Sequence, residues 1–190
     1  VQGDYSETGA SGGLEGDAIN KYLETGLAGN VAPVDLHLSV FVAASGSRGS
    51  QRIMGIDDFP AAGWRATQLS YGASPATFQA LLRGSATASV TPAIGSTYHA
   101  IGTADRNSNS PTVVYVDGSQ SVATAGTTNY TSEIATEFYV FALNRNNTQQ
   151  NPCDDRLGAY SIGRHMTAGQ AASYYAAIRA FQDALGRPVP

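Results

Sequence analysis

Asp35-Leu36-His37-Leu38-Ser39-Val40-Phe41-Val42 is the stretch that decides the fold. Leu36, Leu38, Val40 and Val42 share one face, and His37, Ser39 and Phe41 share the other. Alternation with a period of two is the mark of a half-buried strand, because successive side chains leave a pleated backbone on opposite sides. Runs of the same kind recur on both sides of it. Upstream, Asn20–Thr25 reads as a first strand. Downstream come Arg52–Ile56, Thr67–Tyr71, Thr77–Leu82 and Tyr98–Ala104, then Thr112–Val116 and Gln120–Thr124 joined by Asp117-Gly118, then Glu137–Leu143 and Leu157–Gly163. Asp-Gly supplies the positive φ angles of a tight hairpin turn. Roughly ten short strands at this spacing predict an all-β sandwich or barrel.

The period changes at the C-terminus. Thr167 followed by Gln170 forms a capping-box signature, and Ala171, Tyr175, Ile178, Phe181 and Leu185 then follow helical spacing. Gly186 and Pro188 supply the stop, so one helix is expected over 167–186, docked on the sheet. Residues 1–13 are rich in Gly, Ser and Thr without apolar periodicity and read as a flexible arm; residues 14–190 read as the domain.

The composition fits this picture and excludes several functions. Of 190 residues, 14% are charged, and the net charge is -4 with a single lysine, Lys21. A nucleic-acid partner would need a basic face, which no cluster of Arg provides. No apolar run approaches the roughly 20 residues of a membrane span. The opening Val1-Gln2-Gly3-Asp4 has no basic, apolar leader character, and the lone Cys153 cannot form an internal disulfide.

Candidate chemistry is sparse. Gly9-Ala10-Ser11-Gly12-Gly13 spells a hydrolase elbow but lacks the strand before it and the helix after it. Glu133 and Glu137 would face the same way in a strand, yet about 13 Å apart, too far for paired carboxylate chemistry without a bend. Asp57, Asp58, Asp105, Asp117, Asp154 and Asp155 suit turns and caps; a Ca2+ ion is a lesser option, since their spacing matches no calcium loop. His37, His99 and His165 would need to converge in space to bind a metal. Asn129-Tyr130-Thr131 and Asn146-Asn147-Thr148 match the glycosylation sequon, as short tripeptides do by chance in such a chain. No catalytic residue is assigned. Trp64, Tyr71, His99 and Arg106 are the expected ligand-lining residues, chosen for aromatic or polar character near strand ends.

Several stretches carry a family likeness: Val114-Tyr115-Val116-Asp117-Gly118, Phe138–Asn144, Arg156–Gly163 with the helix after it, and upstream Gly13–Thr25 and Asp35–Phe41. Together they resemble the laminin-G-like, concanavalin-A-like jelly-roll domains of bacteriophage and prophage virion proteins. That resemblance implies an antiparallel jelly-roll β-sandwich with one C-terminal α-helix. It further implies a non-enzymatic module on the virion surface, a decoration, fibre or appendage protein. Such a module is expected to bind other virion proteins through its arm and host-surface glycan through its loops or sheet, and to be a homo-oligomer. A carbohydrate-active enzyme on the same scaffold is the alternative, although the closely spaced acidic strand of the related endoglucanases is absent. Fold-level likeness does not fix function.

Overall fold

The computed structural model describes residues 5–6, 12–47, 49–59, 65–72, 77–82, 88–90, 95–105, 111–123 and 134–187. The chain forms a two-sheet jelly-roll β-sandwich with one C-terminal helix. The strands are β1 (Tyr5–Ser6), β2 (Gly13–Glu15), β3 (Leu23–Ala28), β4 (Leu36–Ala44), β5 (Arg52–Asp57), β6 (Ala66–Tyr71), β7 (Phe78–Leu82), β8 (Ala88–Val90), β9 (Tyr98–Ala104), β10 (Val113–Val116), β11 (Ser119–Ala123), β12 (Glu137–Val140), β13 (Leu143–Arg145), β14 (Thr148–Gln150) and β15 (Arg156–Arg164). The helix α1 is Ala168–Ala184.

The first sheet runs β1-β2-β15-β4-β9-β10-β11. The second runs β14-β13-β5-β6-β7-β8, with β12 paired to β5 and to β3. Strand β4 lies at the centre of the first sheet, antiparallel to both β15 and β9. Its Leu36, Leu38, Val40 and Val42 enter the space between the sheets, where they meet Ile53, Met54, Leu69, Tyr71, Phe78, Tyr98 and Phe138. The opposite face, His37, Ser39 and Phe41, is buried as well, because α1 covers it. A strand covered on both sides can carry polar groups on one of them only if those groups find partners.

The hairpin between β10 and β11 turns at Asp117 and Gly118, with φ of 49° and 77°. Its turn also serves the neighbouring strand, for the Asp117 carboxylate accepts the His99 backbone N–H at 2.9 Å. The helix is closed by the anticipated capping box at Thr167 and Gln170, and Gly186 follows with φ of 67°.

Three features depart from the linear reading. The expected strand Glu137–Leu143 is broken at Phe141, whose φ is 68°, so β12 runs antiparallel to β5 and β13 runs parallel to it. The Asn146-Asn147 pair is a turn with both φ angles positive, joining β13 to β14. Part of the expected arm is strand: Tyr5–Ser6 pairs with Gly13–Leu14, and Gly13 already belongs to β2. The helix presents the expected stripe to the sheet, with Ala171 buried and Tyr175, Ile178 and Leu185 half-buried, except at Phe181. Ala171 and Gln182 are its buried residues, while Phe181 is 53% exposed. The reason is polar docking at its C-terminal end, where the Gln182 amide donates to the Gly158 carbonyl at 3.1 Å and Arg187 Nη1 donates to the same oxygen at 3.2 Å.

Candidate functional site

While α1 occupies the outer face of the first sheet, the outer face of the second gathers polar side chains with no helix over them among the described residues. Alternation sorts the residues. On β6, Leu69 and Tyr71 point into the core, which sends Gln68 and Ser70 outward. On β7, Phe78, Ala80 and Leu82 point inward, leaving Gln79 and Leu81 outside. Strand β5 places Arg52, Gly55 and Asp57 on the same outer side.

Register then builds rows across the face. Arg52, Ser70 and Gln79 lie side by side on β5, β6 and β7. In the next row Tyr139 of β12 abuts Gly55, then Gln68, then Leu81. A third row joins Arg145 of β13 to Asp57 and Ala66. Gly55 is required in the middle row, because a Cβ there would stand 2.5 Å from the Gln68 Cβ.

The charges are ordered. Arg145 grips Asp57 with two parallel bonds, Nε to Oδ1 at 2.8 Å and Nη2 to Oδ2 at 2.6 Å. That bidentate bond raises the Arg145 guanidinium above its ordinary value, and the Phe59 ring lies 4.9 Å beneath it. Burial pulls the Arg52 guanidinium below its ordinary value, and the neighbouring Arg145 adds to this while Asp57 opposes it. Burial likewise pushes the Tyr139 phenol up to about 12, helped by its stacked neighbour Tyr22 at 4.4 Å between ring centres.

The decisive feature is what is left over. Arg52 Nε, Gln68 Oε1 and Ser70 Oγ are buried and have no hydrogen-bond partner. Arg52 spends its Nη1 on backbone carbonyls, Ser50 at 3.1 Å among them. Gln68 is 5% exposed and Ser70 1%, so these two side chains are buried, with Arg52 half-buried beside them. Neighbouring strands stand about 4.8 Å apart, and Gln68 and Ser70 are about 7 Å apart along β6. Each unmet buried group costs about 1–3 kcal/mol, which a hydroxyl- or carboxylate-bearing ligand, or water, recovers.

The expected ligand-lining residues fare differently. Tyr71 is fully buried in the core: its hydroxyl donates to Asp155 Oδ2 at 2.5 Å and meets the Tyr98 hydroxyl. His99 is 1% exposed and lies under the helix, stacked on Tyr175. Neither reaches an open surface, and they belong to different layers, so the structure does not bring the pair together as a lining. Trp64 and Arg106 lie outside the described residues, as do Glu133, Asn129 and the elbow-like residues 9–11. Glu137 is at a strand start, where its Oε2 accepts the Gly26 N–H at 2.6 Å. The loop aspartates act as turn and cap groups: Asp154 accepts the Ser47 N–H at 2.9 Å, and Asp58 holds Arg65. Among the described residues no cluster of His, Cys, Asp and Glu could hold a metal ion. Linear reading missed Arg52, Gln68 and Ser70; only the bulge between Arg52 and Met54, together with the register, sets them on one face.

A concavity of about 270 Å3 opens where β2 and β15 meet the end of α1, lined by Leu14, Leu157, Tyr160, Phe181 and Arg187. Its guanidinium is tied inward, Arg187 Nη1 donating to Gln182 Oε1 at 2.9 Å.

No family model matches the chain, and no curated protein matches it. Solved structures do. The CBM40 of the Ruminococcus gnavus IT-sialidase superposes with a TM-score of 0.66 at 13% identity, covering 85% of this chain and 96% of that one. The same CBM40 has been solved bound to alpha2,3 sialyllactose, and that form matches equally well at 12% identity. The NanB sialidase of Streptococcus pneumoniae, as its K499G mutant, gives 0.66 at 11% identity, but only 27% of that chain is covered against 84% of this one. A heptameric SAP-like pentraxin from Limulus polyphemus gives 0.57 at 13% identity over 76% of this chain and 70% of its own. At these identities the likeness establishes the fold, a jelly-roll β-sandwich shared with carbohydrate-binding and pentraxin domains. None of these neighbours is a phage protein.

Proposed function

We propose that the protein is a non-catalytic carbohydrate-binding module, and that an acidic glycan binds on the outer face of the second sheet. The observation that carries this reading is the buried trio of Arg52 Nε, Gln68 Oε1 and Ser70 Oγ, which supplies two donors and an acceptor with no partner among the described residues. A sugar carboxylate suits Arg52, whose guanidinium bonds to backbone carbonyls and leaves Nε open. Sugar hydroxyls suit Gln68 and Ser70, since a hydroxyl both donates and accepts. Tyr139 and the stacked Tyr22 flank the trio with apolar ring surface. The sandwich shared with a sialyllactose-bound CBM40 supports the same class of ligand.

Hydrolysis is not part of the proposal, because Asp57, the carboxylate of this face, has both oxygens engaged by Arg145. Placement on a phage particle rests on the sequence resemblance alone, and co-purification with virions tests it. The glycan reading is tested by titration calorimetry with alpha2,3 sialyllactose beside lactose. Binding of the acidic sugar, weakened about tenfold to a hundredfold by Arg52→Ala, is the expected result. Equal binding of both sugars, or an unchanged affinity in the Arg52 variant, sinks it.

A further inference from the structure

The three histidines, distant in sequence, meet in the layer between α1 and the first sheet. His37 on β4 and His99 on β9 face the helix, and His165 joins β15 to it. Two of the three are satisfied. The Arg164 carbonyl can only accept, so His37 Nδ1 carries the proton that it receives at 2.6 Å; Nε2 of the neutral ring then accepts from the Ser161 hydroxyl at 2.9 Å. His165 Nδ1 meets the Thr103 hydroxyl at 2.9 Å. His99 differs: both ring nitrogens are buried without a partner. Its ring lies 5.7 Å from that of Tyr175, nearly parallel, and 5.6 Å from that of Tyr174.

We propose that α1 is an acid-released cover: protonation of His99, with His37 beside it, undocks the helix from the first sheet and uncovers Phe41, Ile101 and Tyr115. An imidazolium carries two N–H donors and a charge. The site meets neither need. The groups next to His99 are His37 from β4, Asp117 from the β10 turn, and Tyr174 and Tyr175 from α1; one step further out, Arg179 of α1 acts on Asp117, His165 acts on His37, and Tyr115 of β10 packs with Ile101 and Ala171. Asp117 is the carboxylate among them; its oxygen is held by the His99 backbone N–H, and Arg179 draws on its charge. The Tyr174 hydroxyl already donates to Ser161 at 3.0 Å.

Apolar attachment of the helix is thin, a cluster of Ile101, Tyr115 and Ala171 with Val113, Met166 and Tyr174 around it. Loss of one polar layer therefore falls on the helix before it falls on the much larger core between the sheets.

Burial, and secondarily the charge of His37, hold the His99 ring down to about 4 against an ordinary 6.5. Burial lowers His37 as well, with His165 adding to it and the Arg164 bond opposing it. The undocked helix thus binds more protons than the docked one. Docking is full above about pH 6.5 and weakens by up to tenfold per pH unit down to about pH 4. Hydrogen exchange read by mass spectrometry on the full chain, from pH 7 to pH 4 with intrinsic rates corrected, tests this. Protection of 168–184 is expected to fall at least tenfold while β4 and β6 keep theirs. His99→Phe keeps the ring shape and removes the nitrogens, and it should lower the midpoint by more than one pH unit. If that variant does not fold, 15N-imidazole NMR of the unaltered protein decides: His99 must take up its proton at the pH where the helix loses protection. A helix that stays protected to pH 4, a simultaneous loss in helix and strands, or an unchanged midpoint in His99→Phe overturns the proposal.

Discussion

The two outer faces of this sandwich are built from similar residues and put to different use. The first sheet shows His37, Ser39, Ser161 and Thr103 to a helix, and nearly every polar atom finds a partner in Tyr174, His165 or the backbone. The second sheet shows Arg52, Gln68, Ser70, Asp57 and Arg145, and satisfies only the last two with each other. A polar sheet face is thus either finished by the fold or left for something else to finish. An unmet buried group is costly to keep, and the proposed glycan is what would supply the missing partners on the second face. On the first face His99, both of whose ring nitrogens lack a partner, is the exception on which the proposed acid release rests.

The largest way to break the comparison is to remove the order of the second face. Arg145→Ala strands the fully buried Asp57 charge and should cost about 3–5 kcal/mol, read from the urea midpoint. A smaller and more telling effect is expected at Gln68→Leu. Removing an unmet acceptor should leave stability unchanged or raise it by about 1 kcal/mol, while sialyllactose binding is lost. A clear loss of stability in that variant would mean that Gln68 is a structural group and the two faces are alike. The smallest effect lies at the helix itself. Thr167→Ala removes one half of the capping box and should cost about 1 kcal/mol of helix protection in hydrogen exchange, with no change in glycan affinity.

The scaffold was largely legible in one dimension. Leu36, Leu38, Val40 and Val42 announced their strand and their inward face because burial repeats every two residues. Asp117-Gly118 announced its hairpin and Thr167 with Gln170 its helix start, because local backbone demands select those residues. The break at Phe141 was hidden, since its positive φ is imposed by pairing on both sides of the bend rather than by its own preference. The Asn146-Asn147-Thr148 tripeptide, a chance match to the glycosylation sequon, is a turn entering β14, a role that Asn supports by tolerating the left-handed region.

The candidate site was not legible. Tyr71 looked like a lining residue and is instead a core anchor on Asp155, because alternation yields two faces without saying which one turns inward. Arg52, Gln68 and Ser70 sit on separate strands, and their individual residue types are ordinary. Register alone made them neighbours. The sequence by itself determined most of the strands, the hairpin and the capped helix, all set by interactions over a few residues. Only the tertiary structure decided which sheet the helix covers, which polar atoms are paired, and that three distant histidines share one layer. Those outcomes depend on contacts between segments that local pattern does not encode.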